Sequence, residues 1–198
     1  MTTFWAGLDP LFGFVFLGLF SPGPNVILLT TSGARFGFRA TLPHLFGVVL
    51  GVGIIAALTA LGIGALLLAM PVLEAGLRIA AAVWMLWMAW KLWVTAPPST
   101  DTKARPFTFF QAVLFQWVNP KIWAVALAAS SAYPSGLPVA AEALRMGLAF
   151  SGFNLFVCLF WSGTGAGLRY LLAHPQVWRI FARVMAAVLA AFAVSLVI

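Results

Sequence analysis

Apolar residues in this chain run on for longer than one face of a soluble helix requires, and the interruptions are few. No charged residue lies between Pro10 and Ala34, yet "FSPGPNVILL" at 20–29 sets two prolines and a glycine in the middle of that run. A spanning helix needs about 20 mostly apolar residues, because in hydrocarbon every backbone N–H and C=O must be satisfied within the helix. Six segments meet that pattern: Leu8 to Gly33, Leu42 to Met70, Val72 to Val94, Phe107 to Tyr133, Ala143 to Leu168 and Val177 to Ile198. The third and sixth carry Arg78, Lys91, Arg179 and Arg183, which must snorkel to an interface. "TAPPSTDTKARP" at 95–106 has linker character and divides the chain into halves of three helices. The pattern predicts an all-α integral membrane protein forming a single transmembrane domain over residues 1–198. Residues 1–94 make one repeat, 95–106 the loop and 107–198 the other.

Composition strengthens this reading. The chain is 63% hydrophobic and only 8% charged, against roughly 25% charge in soluble domains. "MTTFWAGLDP" contains no Lys or Arg, so the first apolar segment is read as retained rather than as a secretory leader. Cys158 is the only cysteine, which excludes an intrachain disulfide and a thiolate metal cluster. The net charge of +7 does not point to nucleic acid, because the basic residues fall in short connections where they meet lipid headgroups.

Those basic residues also orient the chain. Arg35, Arg39, Lys91, Lys103, Arg105, Arg169, Arg179 and Arg183 share one side, and only Arg78 and Arg145 fall opposite, with Asp9, Glu74 and Glu142. Lys and Arg collect on the cytoplasmic side, so both termini are expected outside the cytoplasm. Trp84, Trp87, Trp90 and Trp93 read as lipid anchors along the third helix.

The halves resemble each other. "SPGPN" at 21–25 matches "VNPKI" at 118–122, "GVVLGVG" at 47–53 matches "GLAFSGF" at 147–153, and "RIAAAVW" at 78–84 matches "RIFARVM" at 179–185. Three matches in order, about 100 residues apart, indicate an internal duplication. An odd number of helices per copy requires the copies to insert with inverted topology. Helices 1 and 4 are then both broken at proline, around Pro22 and Pro120, and such paired breaks place freed backbone groups near the midplane, where they can bind a polar solute.

"SPGPN" in helix 1, the glycine-rich "GVVLGVG" of helix 2 and "NPK" at 119–121 in helix 4 resemble the LysE/RhtB family of bacterial amino-acid exporters, over essentially the whole chain. The resemblance implies a six-helix protein of the bacterial inner membrane that exports amino acids or their analogues, with a small amino acid as partner and the proton gradient as driving force. It implies no cofactor. Carried onto this sequence, the substrate-binding positions are Pro22, Gly23, Pro24, Asn25, Asn119, Pro120 and Lys121. The run after "NPK", "IWAVALAASSAY", departs from the phenylalanine-rich stretch of the family.

Lys121 is the sharpest single residue. A mid-helix lysine costs about 2.5 to 3.5 kcal/mol on insertion scales, so it needs a partner, and no carboxylate is expected at its depth. Either a substrate carboxylate meets it, or it staples carbonyls freed by Pro22 or Pro24. Asn25 and Asn119 suit either solute contact or interhelical bonding, and Asn154 suits interhelical bonding. Gly47, Gly51 and Gly53 form a small-residue face for helix packing, and secondarily for a homodimer or a gate. His44 follows Pro43 near the cytoplasmic interface and is a candidate for proton coupling, or else an interfacial histidine bonded to water or a headgroup.

Catalytic chemistry is not indicated. The sequence has no P-loop, no metal-spaced cluster of His, Cys or carboxylate, and no serine elbow. Two other classes fit the composition. A non-transporting assembly subunit would not need Lys121 or paired breaks, and an ion channel would show several polar pore positions per helix.

Overall fold

The computed structural model describes residues 9–63, 69–95 and 105–194 and, within them, every side chain except those at 71, 73, 74, 77 and 78. Among the described residues it is helical throughout and contains no strand. The first span is two half-helices. Helix α1 (Pro10–Phe20) starts on Asp9, whose carboxylate accepts a hydrogen bond from the Leu11 N–H at 3.0 Å, satisfying one of the orphan donors of the first turn. After Ser21, Pro22 and Gly23 the chain re-enters helix as α2 (Pro24–Phe36), bent 57° from α1.

Gly37, at φ 86°, turns the chain from α2 into α3 (Phe38–Ala60), a backbone conformation that favours glycine. Helix α4 (Pro71–Trp93) follows, and then the second broken pair. That pair is α5 (Phe109–Trp117), opened by a reciprocal capping box between Thr108 and Gln111, and α6 (Pro120–Ala132), bent 61° from α5. Helix α7 (Val139–Gly167), the single turn α8 (Arg169–Leu172) and α9 (Pro175–Val194) complete the chain.

Proline serves the two breaks in the same way. Pro24 and Pro120 each occupy the first position of the second half-helix, where the missing N–H would have no intrahelical partner anyway. This corrects the pairing of Pro22 with Pro120. Pro22 lies in the connector, and it is Pro24 that matches Pro120.

The six expected spans are matched in part among the described residues. α3, α7 and α9 are each long and apolar enough to cross a membrane, and the two bent pairs bring the number to five if each is one span. In α4 the apolar portion is only Ile79–Trp93, since Glu74 and Arg78 interrupt the sequence before it. Its Trp84, Trp87, Trp90 and Trp93 are exposed. Leu8, residues 64–68, the 96–104 stretch of the expected loop and 195–198 lie outside the described residues.

Packing between the halves is reciprocal. α3 lies against α7, and α4 against α9. The broken pair of the first half rests on α7, a helix of the second, while α5 and α6 rest on α3, a helix of the first. A core of Leu11, Val15, Leu45, Val48, Ile122 and Phe150 joins α1, α3, α6 and α7, and a second cluster around Met85, Trp178 and Leu189 joins α4 to α9. Gly47, Gly51 and Gly53 are spent on this packing. A Cβ on Gly47 would lie 2.3 Å from the Phe109 carbonyl oxygen of α5, one on Gly51 2.6 Å from Gln116 Cγ, and one on Gly53 2.0 Å from Ser151 Oγ of α7. Their face is internal, so it offers no surface to a second copy.

Candidate functional site

The two bends bring their breaks together. Lys121, in the first turn of α6, reaches across to the connector of the first span, where its Nζ donates a short hydrogen bond to the Ser21 carbonyl and a longer one, 3.4 Å, to that of Pro22. Breaking α1 leaves its last carbonyls without intrahelical partners, and a cation there also meets the negative end of the helix dipole. Gly23 leaves room for the crossing, since a Cβ at that position would sit 2.7 Å from Lys121 Cδ and the lysine would have to shift.

Beside the lysine runs a chain of amides. Asn25, one residue into α2, donates from Nδ2 to Gln116 Oε1 at 2.8 Å and accepts at Oδ1 from Gln116 Nε2 at 3.1 Å. Gln116 Nε2 also donates to the Ala112 carbonyl at 2.9 Å, and Asn119 Nδ2 donates to Gln116 Oε1 at 3.4 Å. Gln116 and Asn119 are fully buried. Asn119 Oδ1 has no hydrogen-bond partner among the described residues, an arrangement that native proteins rarely leave unexplained.

Gly23, Asn25, Asn119 and Lys121 line one cavity with Asn154 and Cys158 of α7. It amounts to about 10 Å3, at the limit for a single water. Asn154 turns its Nδ2 toward the Val48 carbonyl at 3.5 Å. Four of the seven residues read from the sequence as substrate-binding, Gly23, Asn25, Asn119 and Lys121, line this cavity; the other three do not, Pro22 lying in the connector and Pro24 and Pro120 opening the two half-helices. Gln116 was missed. Its only signal is an amide in an otherwise apolar stretch, "FFQAVLFQW", which holds Gln111 as well, three residues before Asn119.

His44 is not part of this cavity. Helix α3 begins at Phe38 and carries Pro43 inside it, so His44 is buried, with its ring 5.2 Å from that of Phe107. Neither ring nitrogen has a hydrogen-bond partner among the described residues. Its side chain thus lies under Phe107 rather than at the protein surface meeting water or a headgroup, as expected of an interfacial histidine.

A second polar cluster closes the opposite end of α7. Arg145 bonds Asp9 at 2.5 Å, Glu142 at 2.8 Å and the Tyr133 carbonyl at 3.2 Å, tying the start of α1 and the end of α6 to α7. The Arg145 hydrogen bond holds the Asp9 carboxyl below the ordinary carboxylate value. No group of three or more His, Cys, Asp or Glu able to hold a metal occurs among the described residues.

Comparison with known proteins gives this arrangement its relatives. The chain is 32% identical over 117 residues to the cysteine/O-acetylserine efflux proteins of Escherichia coli (strain K12), Shigella sonnei (strain Ss046) and Shigella flexneri. Each match covers 58% of this chain, and the chain spans 59% of the length of each of these relatives. No solved structure matches. The LysE type translocator description matches residues 16–198, which include both breaks, the amide chain and Lys121. The chain belongs to the LysE type translocator family, whose members are transporters and not enzymes.

Proposed function

We propose that this protein exports a small zwitterionic amino acid or close analogue across the bacterial inner membrane, driven by the proton gradient. The observation that carries the reading is the convergence of both helix breaks on one cavity, with Lys121 on one wall and a buried, unpartnered acceptor on Asn119. A carboxylate suits the lysine, and an ammonium suits the asparagine oxygen. Each charge then meets a fixed partner in low dielectric, where such contacts are strong. The efflux function named for the relatives supports a small polar amino acid as the cargo.

In this structure the cavity holds no more than about one water. The solute's carboxylate therefore competes with the Ser21 and Pro22 carbonyls for Lys121, and binding separates the two broken pairs. The staple and substrate roles of Lys121 become successive states of one residue. The reciprocal packing of each broken pair on the other half's long helix supports six spans arranged as inverted repeats. The eight-to-two distribution of Lys and Arg supports termini outside the cytoplasm. With no nucleotide-binding motif in the sequence, the driving force comes from an ion gradient or from the solute's own gradient, and we take the former.

The test is uptake into inverted membrane vesicles across a panel of labelled amino acids, including cysteine and O-acetylserine, with and without a pH gradient. Concentrative uptake should require the gradient, and Lys121→Met should accumulate normally yet lose most of the uptake, since the change removes a buried charge without altering length. Concentrative uptake after the gradient is dissipated would remove the proton drive. Failure of every amino acid in the panel would favour the non-transporting assembly subunit.

A further inference from the structure

We infer that Gln116 is a positioning residue that fixes which atom of the Asn119 amide meets the solute, and so selects for a solute bearing an ammonium group. This rests on the export reading above.

The inference follows from which groups can reverse and which cannot. A side-chain amide presents donor and acceptor on two sides and is otherwise free to flip. A backbone carbonyl only accepts. The Ala112 carbonyl, 2.9 Å from the Gln116 amide, therefore requires a nitrogen on that side, which turns Gln116 Oε1 toward the two asparagines. Oε1 accepts from Asn25 Nδ2 at 2.8 Å and from Asn119 Nδ2 at 3.4 Å, while the second hydrogen on Gln116 Nε2 goes to Asn25 Oδ1 at 3.1 Å. One carbonyl in α5 thus sets the orientation of three amides. The atom left over is Asn119 Oδ1, on a fully buried residue lining the cavity, with no partner among the described residues.

An acceptor held in this way favours a donor, and a charged donor over a neutral one, because charge-assisted hydrogen bonds are about twice as strong. If Gln116 loses its amide, nothing holds the Asn119 nitrogen away from the cavity. The Asn119 amide can then turn its NH2 toward the solute, which repels an ammonium and donates to a hydroxyl oxygen.

The discriminating measurement is competition. Uptake of a labelled amino acid is inhibited either by the same unlabelled amino acid or by its hydroxy-acid counterpart, which keeps the carboxylate and side chain and replaces the ammonium by hydroxyl. The readout is the ratio of half-inhibiting concentrations. Wild type should prefer the amino acid by about tenfold or more, and Gln116→Leu should bring the ratio to about one. Should Gln116→Leu not accumulate, Asn119→Leu, which leaves the Gln116–Asn25 pair intact, carries the same expectation. Asn119→Asp keeps an acceptor in the cavity and should retain the preference. An accumulated Gln116→Leu or Asn119→Leu protein with the wild-type ratio would overturn the inference while leaving the export reading in place. No amino-acid uptake by wild type would overturn both.

Discussion

The two ends of α7 are joined to the first span by different means. Toward its C-terminus, α7 meets α2 backbone to backbone. A Cβ on Gly165 would lie 2.1 Å from the Thr30 carbonyl oxygen, and one on Gly33 2.2 Å from that of Ser162. Toward its N-terminus, α7 meets α1 through side chains. Phe12 and Phe153 stand 5.5 Å apart, Phe16 and Phe156 6.0 Å, and the Asp9–Arg145 pair closes the top of an open aromatic groove. Backbone contact of the first kind leaves no room for adjustment, because interiors are close-packed and do not deform gradually. Contact of the second kind changes by rotation of side chains. One helix therefore carries a fixed joint and an adjustable one, and the break at Ser21–Gly23 separates the half-helix on each.

Substitutions along that single helix test the contrast. The largest effect is expected from Gly165→Ala, or Gly33→Ala on the facing helix. The new methyl collides with backbone rather than with a movable side chain, so the loss should reach about 3 kcal/mol, the upper range for overpacking. Denaturant or thermal unfolding of the purified protein in detergent measures it. A loss well under 1 kcal/mol would mean that the joint at this end is no tighter than the other.

Asp9→Asn should cost less, about 1 kcal/mol, since the pair it breaks is partly exposed and Arg145 keeps Glu142 and the Tyr133 carbonyl. The same contact has a pH signature. Arg145 holds the folded Asp9 pKa below 3.8. A carboxyl depressed on folding adds stability that is complete above its unfolded value and is lost as pH falls through the folded one. Acid should therefore weaken wild type over a window that Asp9→Asn lacks, which parallel pH–stability curves would reveal. Curves of identical shape would refute the pair's contribution.

The smallest effect has the opposite sign. A Cβ on Gly152, in the groove, meets nothing within 4 Å, so Gly152→Ala should stabilise by about 0.5 to 1 kcal/mol through the backbone entropy that glycine loses on folding. Destabilisation there would show that the groove closes in solution.

What could be read from the sequence was what proline and charge dictate locally. The broken first and fourth segments followed from "SPGPN" and "NPK", because proline removes a backbone donor and clashes with the preceding turn. Which proline matched which was not legible, since a proline in a connector and one at a first helical position look alike in one dimension. Lys121 stood out because a mid-membrane cation needs a partner, but its acceptors, Ser21 and Pro22, lie 100 and 99 residues away. Gln116 shows the limit most clearly. Nothing in "FFQAVLFQW" separates it from Gln111, yet Gln111 closes a capping box within its own turn while Gln116 bonds Asn25, 91 residues distant. His44 was misplaced for a related reason, because Pro43 suggested a helix start and the helix in fact begins at Phe38.

The size of the central cavity bears on the membrane itself. Protons leak along unbroken files of hydrogen-bonded water, and a space of about 10 Å3 holds at most one such molecule. The ammonium of Lys121 stands beside it, so any proton arriving there meets a like charge. The meeting point of the two helix breaks, as it stands in this structure, therefore has no room for such a file. On the proton-driven reading proposed above, that closure would keep the resting protein from short-circuiting the gradient it uses.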